Sequence, residues 1–121
     1  MGTVLVVEDD LTQRQILCKL LTRIGLNVLF AGDGVEALEL VKSYYPEVVI
    51  LDIIIPRMNG YELCRRIKRD EKTQKVAVLM YTNKTEDCDY YWGCKQGADA
   101  YLSKLCHPQE LIETVIYLLQ A

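Results

Sequence analysis

Little in this sequence would anchor it in a bilayer, staple it with disulfides or draw it to nucleic acid. No apolar run approaches the length of a membrane span. No charged leader precedes the first apolar segment, Thr3–Val7, and that segment is too short for the core of a secretory signal. Basic residues are not in surplus: 14 Lys and Arg stand against 17 Asp and Glu, a net charge of −3. A nucleic-acid surface normally carries the opposite balance, so neither a nucleic-acid nor a membrane partner is expected. The five cysteines, Cys18, Cys64, Cys88, Cys94 and Cys106, are odd in number and form no C-x-x-C pair. That argues against a disulfide framework and against a zinc site. They read as small apolar residues in a reducing compartment, so a cytoplasmic location is expected. The single histidine, His107, lies beside Pro108 at a helix start and reads as solvent-facing, not catalytic. No repeat, linker or low-complexity segment interrupts the chain.

What is present is an alternation of strand and helix patterns over 121 residues, a length that suits one domain, residues 1–121. Half of the residues are hydrophobic, enough to bury a core without staples. Val4–Val7 reads as a buried strand. Asp10 then caps a helix with Ile16, Leu17, Leu20, Leu21 and Ile24 at helical spacing, and Gly25 stops it. Asn27–Ala31 is a second strand. Asp33-Gly34-Val35-Glu36 has the form of a capping box and opens a helix through about Ser43. Val48–Leu51 is apolar throughout, as a strand covered on both faces must be.

Asn59 caps a third helix whose polar face carries Arg65, Arg66, Lys68 and Arg69. Val76–Tyr81 is strand four, Glu86–Gln96 a weaker helix ended by Gly97, and Ala100–Ser103 strand five. Pro108 opens the last helix, with Leu111, Ile112, Val115, Ile116 and Leu119 inward. Five strands, each followed by a helix, with right-handed connections, predict an α/β fold: a doubly wound parallel sheet of flavodoxin-like order 2-1-3-4-5.

In such a sheet the site forms at the C-terminal ends of the strands. Glu8, Asp9 and Asp10 follow strand one, Asp52 follows strand three, Thr82 and Asn83 follow strand four, and Lys104 follows strand five. Clustered carboxylates stay ionised together only beside a cation. With no His or Cys in the set, a hard ion is favoured, magnesium first. A metal, a lysine and a hydroxyl suit a transferring phosphoryl group, and a carboxylate can be its acceptor. Asp52, central among the strands, is best placed. Alone, Asp10 reads as a helix cap, Thr82 as a strand-end residue and Lys104 as a surface charge; their register makes the set.

These residues bring the chain to a known family. Val6-Val7-Glu8-Asp9-Asp10, Leu51-Asp52 leading into Pro56-Arg57-Met58-Asn59-Gly60, Tyr81-Thr82, and Gly97-Ala98-Asp99-Ala100-Tyr101-Leu102-Ser103-Lys104 occur in order, each at a strand end. In them the chain resembles the receiver domain of bacterial two-component response regulators, in its single-domain CheY-like form. The resemblance implies a signalling switch rather than an enzyme. Asp52 would take a phosphoryl group from a sensor histidine kinase or a phosphotransfer protein. Asp9, Glu8, Asp52 and the backbone carbonyl of Ile54 would hold Mg2+. Lys104 would pair with the acyl phosphate. Thr82 would swing toward it, and Tyr101 would follow, altering a face of helix four, strand five and helix five that a downstream protein reads. Relatives often dimerise through that face, which leaves a homodimer open.

The sequence departs from the family in three places. Leu105 stands where a proline preceded by a cis bond usually follows the lysine, so either a trans bond with a shifted loop or a strained cis bond is expected. Asn83 is larger than the usual residue after Thr82. Ile54 is apolar where relatives steer the hydrolytic water, which predicts a longer-lived phosphoryl group. Leu105 and Asn83 also support an alternative, a degenerate receiver that binds partners without phosphorylation. An unrelated flavin carrier is disfavoured, since no hydroxyl- or glycine-rich loop follows strand one. Along helix four, Asp87, Asp89, Tyr90, Tyr91 and Trp92 set acidic and aromatic residues together; aromatics on an exposed helix face can anchor a partner, but Tyr90 and Trp92 are expected to cover the sheet.

Overall fold

A computed structural model describes residues 2–121. The five strands are β1 (Thr3–Val7), β2 (Asn27–Ala31), β3 (Val48–Leu51), β4 (Ala77–Thr82) and β5 (Ala100–Ser103). They alternate with α1 (Leu11–Arg23), α2 (Gly34–Tyr44), α3 (Gly60–Arg69), α4 (Asp87–Lys95) and α5 (Pro108–Gln120). All strand pairs are parallel, in the order β2-β1-β3-β4-β5, which is the expected doubly wound sheet.

Strand residues alternate between two cores because successive side chains point to opposite faces. Leu5, Val7, Val49, Leu51, Val78 and Met80 face α2 and α3, meeting Ala37, Val41, Leu63, Cys64 and Ile67. Val4, Val6, Val48, Ile50 and Leu79 face α1 and α5, meeting Leu17, Leu21, Leu111, Val115 and Leu118. Of the central strands, β3 is therefore apolar at every position, and β1 and β4 depart from this only at an end, at Thr3 and at Tyr81-Thr82. The two edge strands are less covered: Phe30 of β2 lies open to solvent with the Arg14 guanidinium 4.5 Å over its ring.

The helix starts follow the cap chemistry. Asp10, Asp33 and Asn59 each accept a backbone N–H in the first turn, from Gln13, Glu36 and Glu62. The Glu36 carboxylate reaches back to the N–H of Gly32, one residue beyond the cap. Gly25 and Gly97 follow α1 and α4 with φ of 91° and 96°, a region that glycine enters without strain.

Several burial expectations are corrected. Ile16 of α1 and Ile116 of α5 are exposed, and Leu118 is buried in the place expected of Ile116. Each helix meets the sheet along a stripe narrower than its apolar content. Trp92 is 53% exposed and does not cover the sheet, whereas Tyr90 packs on Tyr101 of β5 as expected, ring centroids 4.4 Å apart. Only Cys64 sits fully in the core, where burial pushes its thiol up to about 12, while Cys88 and Cys94 are exposed on α4. His107 is exposed as expected and caps α5 through Nδ1.

Gly60 sets the distance between α3 and the end of β3. A Cβ there would lie 2.5 Å from the Asp52 carbonyl oxygen and 2.7 Å from the Ile53 Cα. Backbone cannot yield as a flexible side chain can. Gly60→Ala is therefore expected to lower stability by about 1–3 kcal/mol, read as a fall in the urea midpoint at unchanged m-value.

Candidate functional site

The sheet delivers four polar residues to one rim. Glu8 leaves β1 directly, Asp52 leaves β3, Thr82 closes β4 and Lys104 leaves β5. Asp52 is tied across the strands by its own N–H, which donates to the Val7 carbonyl at 3.3 Å. The Lys104 N–H donates to the Thr82 carbonyl at 3.0 Å. Backbone pairing thus continues one residue past each strand and places the side chains.

At the centre is the Lys104 ammonium. Its Nζ lies 2.6 Å from Glu8 Oε1, 2.7 Å from Asp52 Oδ2 and 2.7 Å from Gln13 Oε1. The side chains of Lys104, Glu8 and Asp52 are only 10%, 7% and 12% exposed. Burial works against the ammonium, but the hydrogen bonds and charges of Asp52 and Glu8 outweigh it and hold Lys104 above the usual lysine range. The remaining carboxylate oxygens are also engaged: Glu8 Oε2 accepts from the Asp10 N–H at 3.1 Å, and Asp52 Oδ1 from the Ile54 N–H at 3.3 Å.

Thr82 is fully buried, and its Oγ1 accepts from the Lys84 N–H at 3.3 Å, which leaves the hydroxyl proton free to donate elsewhere. Asp9 is exposed on the rim and takes no part in the lysine network. The Ile54 side chain is 63% exposed and points away from the core. Tyr101 sits apart from the carboxylates, under α4. Its hydroxyl donates to the Lys84 carbonyl, and burial pushes its pKa up. On the other side of the rim, Arg57 pairs with Asp33 at 3.0 Å.

There are no cis peptide bonds among the described residues. Of the two alternatives at Lys104–Leu105, the trans bond is the one adopted. The turn is closed by the Leu105 N–H on Ser103 Oγ and the Cys106 N–H on the Ser103 carbonyl, both at 3.0 Å. This leaves Leu105 91% exposed, yet Lys104 reaches Asp52. The residue that sequence reasoning missed is Gln13. The signal was its position: three residues after the cap Asp10, it belongs to the first turn of a helix that begins at the rim.

Among the described residues, no group of three His, Cys, Asp or Glu side chains is arranged to hold a metal ion by itself. Glu8, Asp9 and Asp52 do offer carboxylate oxygens alone, the donors of a hard cation that keeps several waters. In chemical terms the rim holds a carboxylate, an ammonium beside it and a buried hydroxyl, a set that phosphoryl transfer can use.

The family model of the response regulator receiver domain matches residues 4–116. The chain belongs to the receiver domains of two-component response regulators. PilH of Pseudomonas aeruginosa is 33% identical over 115 residues, covering 95% of each chain. The DNA-binding response regulator MtrA of Mycobacterium tuberculosis is 37% identical over 112 residues; the match takes 93% of this chain but 48% of MtrA, so the receiver spans about half of such regulators. Among solved structures, the chemotaxis response regulator CheY4 of Vibrio cholerae superposes with a TM-score of 0.90 at 30% identity, covering 98% of each chain. The receiver therefore belongs to phosphorylation-based signalling, with a CheY-like fold. Among its described residues no helix is long and apolar enough to cross a membrane.

The lysine network sets a stability expectation. Lys104→Met leaves Glu8 and Asp52 facing each other without their countercharge. Breaking a fully buried pair costs about 3–5 kcal/mol, and water at the rim reduces this to about 1–3 kcal/mol. Asp52→Asn, which removes one of the two carboxylates and keeps the lysine paired, is expected to cost less. Urea unfolding of the two variants side by side checks the order.

Proposed function

We propose that Asp52 is the phosphate acceptor of a single receiver domain spanning residues 1–121. The observation that carries this reading is the Lys104 ammonium 2.7 Å from Asp52 Oδ2, beside the buried Thr82 hydroxyl. An Asp52 carboxylate oxygen attacks the phosphorus of a phosphohistidine on a sensor kinase or phosphotransfer protein. The oxygen–phosphorus bond forms, the phosphorus–nitrogen bond breaks, and the imidazole leaves with a proton. Lys104 pairs with the phosphoryl oxygens as their charge develops, and Thr82 donates its free hydroxyl proton to one of them. Mg2+ fits the oxygen donors of Asp9, Glu8, Asp52 and the Ile54 carbonyl, and when bound it would neutralise the gathered negative charge.

The readout in this proposal is the surface of α4, β5 and α5. Thr82 is tied to the Lys84 N–H, and Tyr101 of β5 to the Lys84 carbonyl, so a shift of Thr82 is felt at Tyr101. The exposed Tyr91 and Trp92 of α4, and Ile116 and Tyr117 of α5, supply apolar contact for a downstream protein or a second copy. Leu105 and Asn83 do not favour the degenerate reading, since the lysine still reaches its carboxylate and Asn83 is exposed.

Intact mass after incubation with acetyl phosphate and magnesium tests the reading. One phosphoryl group is expected on the wild type and none on Asp52→Asn or without metal; labelling of Asp52→Asn at the wild-type rate would refute it. The same sample gives the lifetime. With Ile54 unable to orient a water, the label is expected to persist for minutes or longer, and loss within seconds would contradict that.

A further inference from the structure

The third acceptor on Lys104 has no role in the reading above. An ammonium carries three hydrogens, and in this chain each has its own acceptor: Glu8, Asp52 and Gln13, at 2.6, 2.7 and 2.7 Å. The donor is saturated. A phosphoryl oxygen arriving on Asp52 can bind the ammonium only if one of these bonds is given up. All three bonds have an ionised donor and are charge-assisted, but only the two to carboxylates are also ion pairs, with the attraction of opposite full charges added to the bond. The bond to Gln13 is the one that yields at least cost.

Gln13 is also held in place to make it. Its backbone N–H donates to the cap Asp10 Oδ1 at 2.9 Å, which fixes the first turn of α1 at the rim. The side chain then crosses to the end of β5 and lines a cleft with Lys104, Asn83 and Leu105. Its chemistry matters as well as its place. A neutral amide satisfies the third hydrogen without adding a third carboxylate, which would repel an anionic phosphodonor.

We propose that Gln13 is a positioning residue for phosphoryl transfer: it aims the Lys104 ammonium at Asp52 in the resting protein and releases it to the incoming phosphoryl oxygen. This rests on the reading of Asp52 as acceptor. It assigns to α1 a part in tuning the reaction and gives Lys104, whose next residue is the exposed Leu105, a side-chain restraint in addition to its backbone bond.

Gln13 is exposed, so substitution there leaves the core intact, and an unchanged melting temperature confirms it. Gln13→Met keeps length and helix preference but removes the acceptor. With acetyl phosphate and magnesium, its maximal phosphorylation rate is expected to fall about fivefold to tenfold, because the ammonium is no longer aimed at Asp52 before transfer and that misplacement outweighs the bond that no longer has to be released, with the half-saturating donor concentration nearly unchanged. Gln13→Glu keeps an acceptor but adds charge, and is expected instead to raise the half-saturating concentration. A second readout does not depend on labelling. In protein carrying 15N-lysine and free of metal and donor, the Lys104 ammonium hydrogens should exchange with water several-fold faster in Gln13→Met than in wild type.

Wild-type phosphorylation kinetics in Gln13→Met, or unchanged ammonium exchange, overturns the proposal. If the wild type itself takes no label, the acceptor reading fails first, and the transfer role of Gln13 falls with it whatever the exchange rate shows. A labelled wild type with an unaffected Gln13→Met sinks the positioning role alone.

Discussion

One ammonium shared between two largely buried carboxylates is the interaction on which this site depends. Glu8 and Asp52 come from strands that pair directly, so their carboxylates are brought to one rim by backbone hydrogen bonding that neither can escape. Two such charges side by side raise each other's energy unless a cation stands between them. Lys104, delivered by β5 at the far edge of the sheet, is that cation in the resting protein. The sheet therefore forces a repulsive pair together and then resolves it with a single flexible side chain. In the proposed switch, that countercharge would be shared with a new anion without dismantling the scaffold.

The scaffold tolerates this because its stability lies elsewhere. The central strands bury both faces, and their apolar residues alternate between two separate cores, one closed by α2 and α3 and the other by α1 and α5. Among the central strands, polar groups are confined to the strand ends. Close approaches lock the rim to this frame: Gly60 lets α3 start directly against the Asp52 carbonyl, and the Gly60 N–H donates to the Ile53 carbonyl at 2.8 Å. The loop that carries Asp52 is thus anchored at both ends, by Val7 before it and by the first residue of α3 after it.

Much of this was legible in the sequence because the signals were local. Asp10, Asp33 and Asn59 each announced a helix start, and an unbroken apolar run at Val48–Leu51 announced a strand with two covered faces. The convergence of Glu8, Asp52, Thr82 and Lys104 followed from topology, since strand ends in a parallel sheet share a rim. What was not legible depended on packing angles and side-chain reach. Ile16 and Ile116 have helical spacing, but periodicity does not say how wide a stripe the sheet covers, and both lie outside it. Asp9 belonged to the motif yet stands in solvent. Gln13 carried no chemical signal of its own; only a long side chain crossing from α1 to the end of β5 gives it a partner 91 residues away.

The path from the rim to the outer surface has its own constraint, at Tyr101. Its ring is wedged under α4, where a Cβ on Gly93 would stand 2.9 Å from the ring and from the Met80 sulfur. Tyr90 packs on one side of it, and its hydroxyl is held by the Lys84 carbonyl. Lys84 in turn donates its N–H to Thr82. The ring cannot slide continuously in so tight a space; it can only occupy the wedge or leave it. If Thr82 turns its oxygen toward a phosphoryl group, Lys84 loses an acceptor and its carbonyl is free to move, which loosens a polar contact that holds the tyrosine hydroxyl. In the proposed switch, tight packing around Gly93 would turn a small rotation at a buried threonine into a choice between two positions of a large ring, the form of coupling that a surface partner can read.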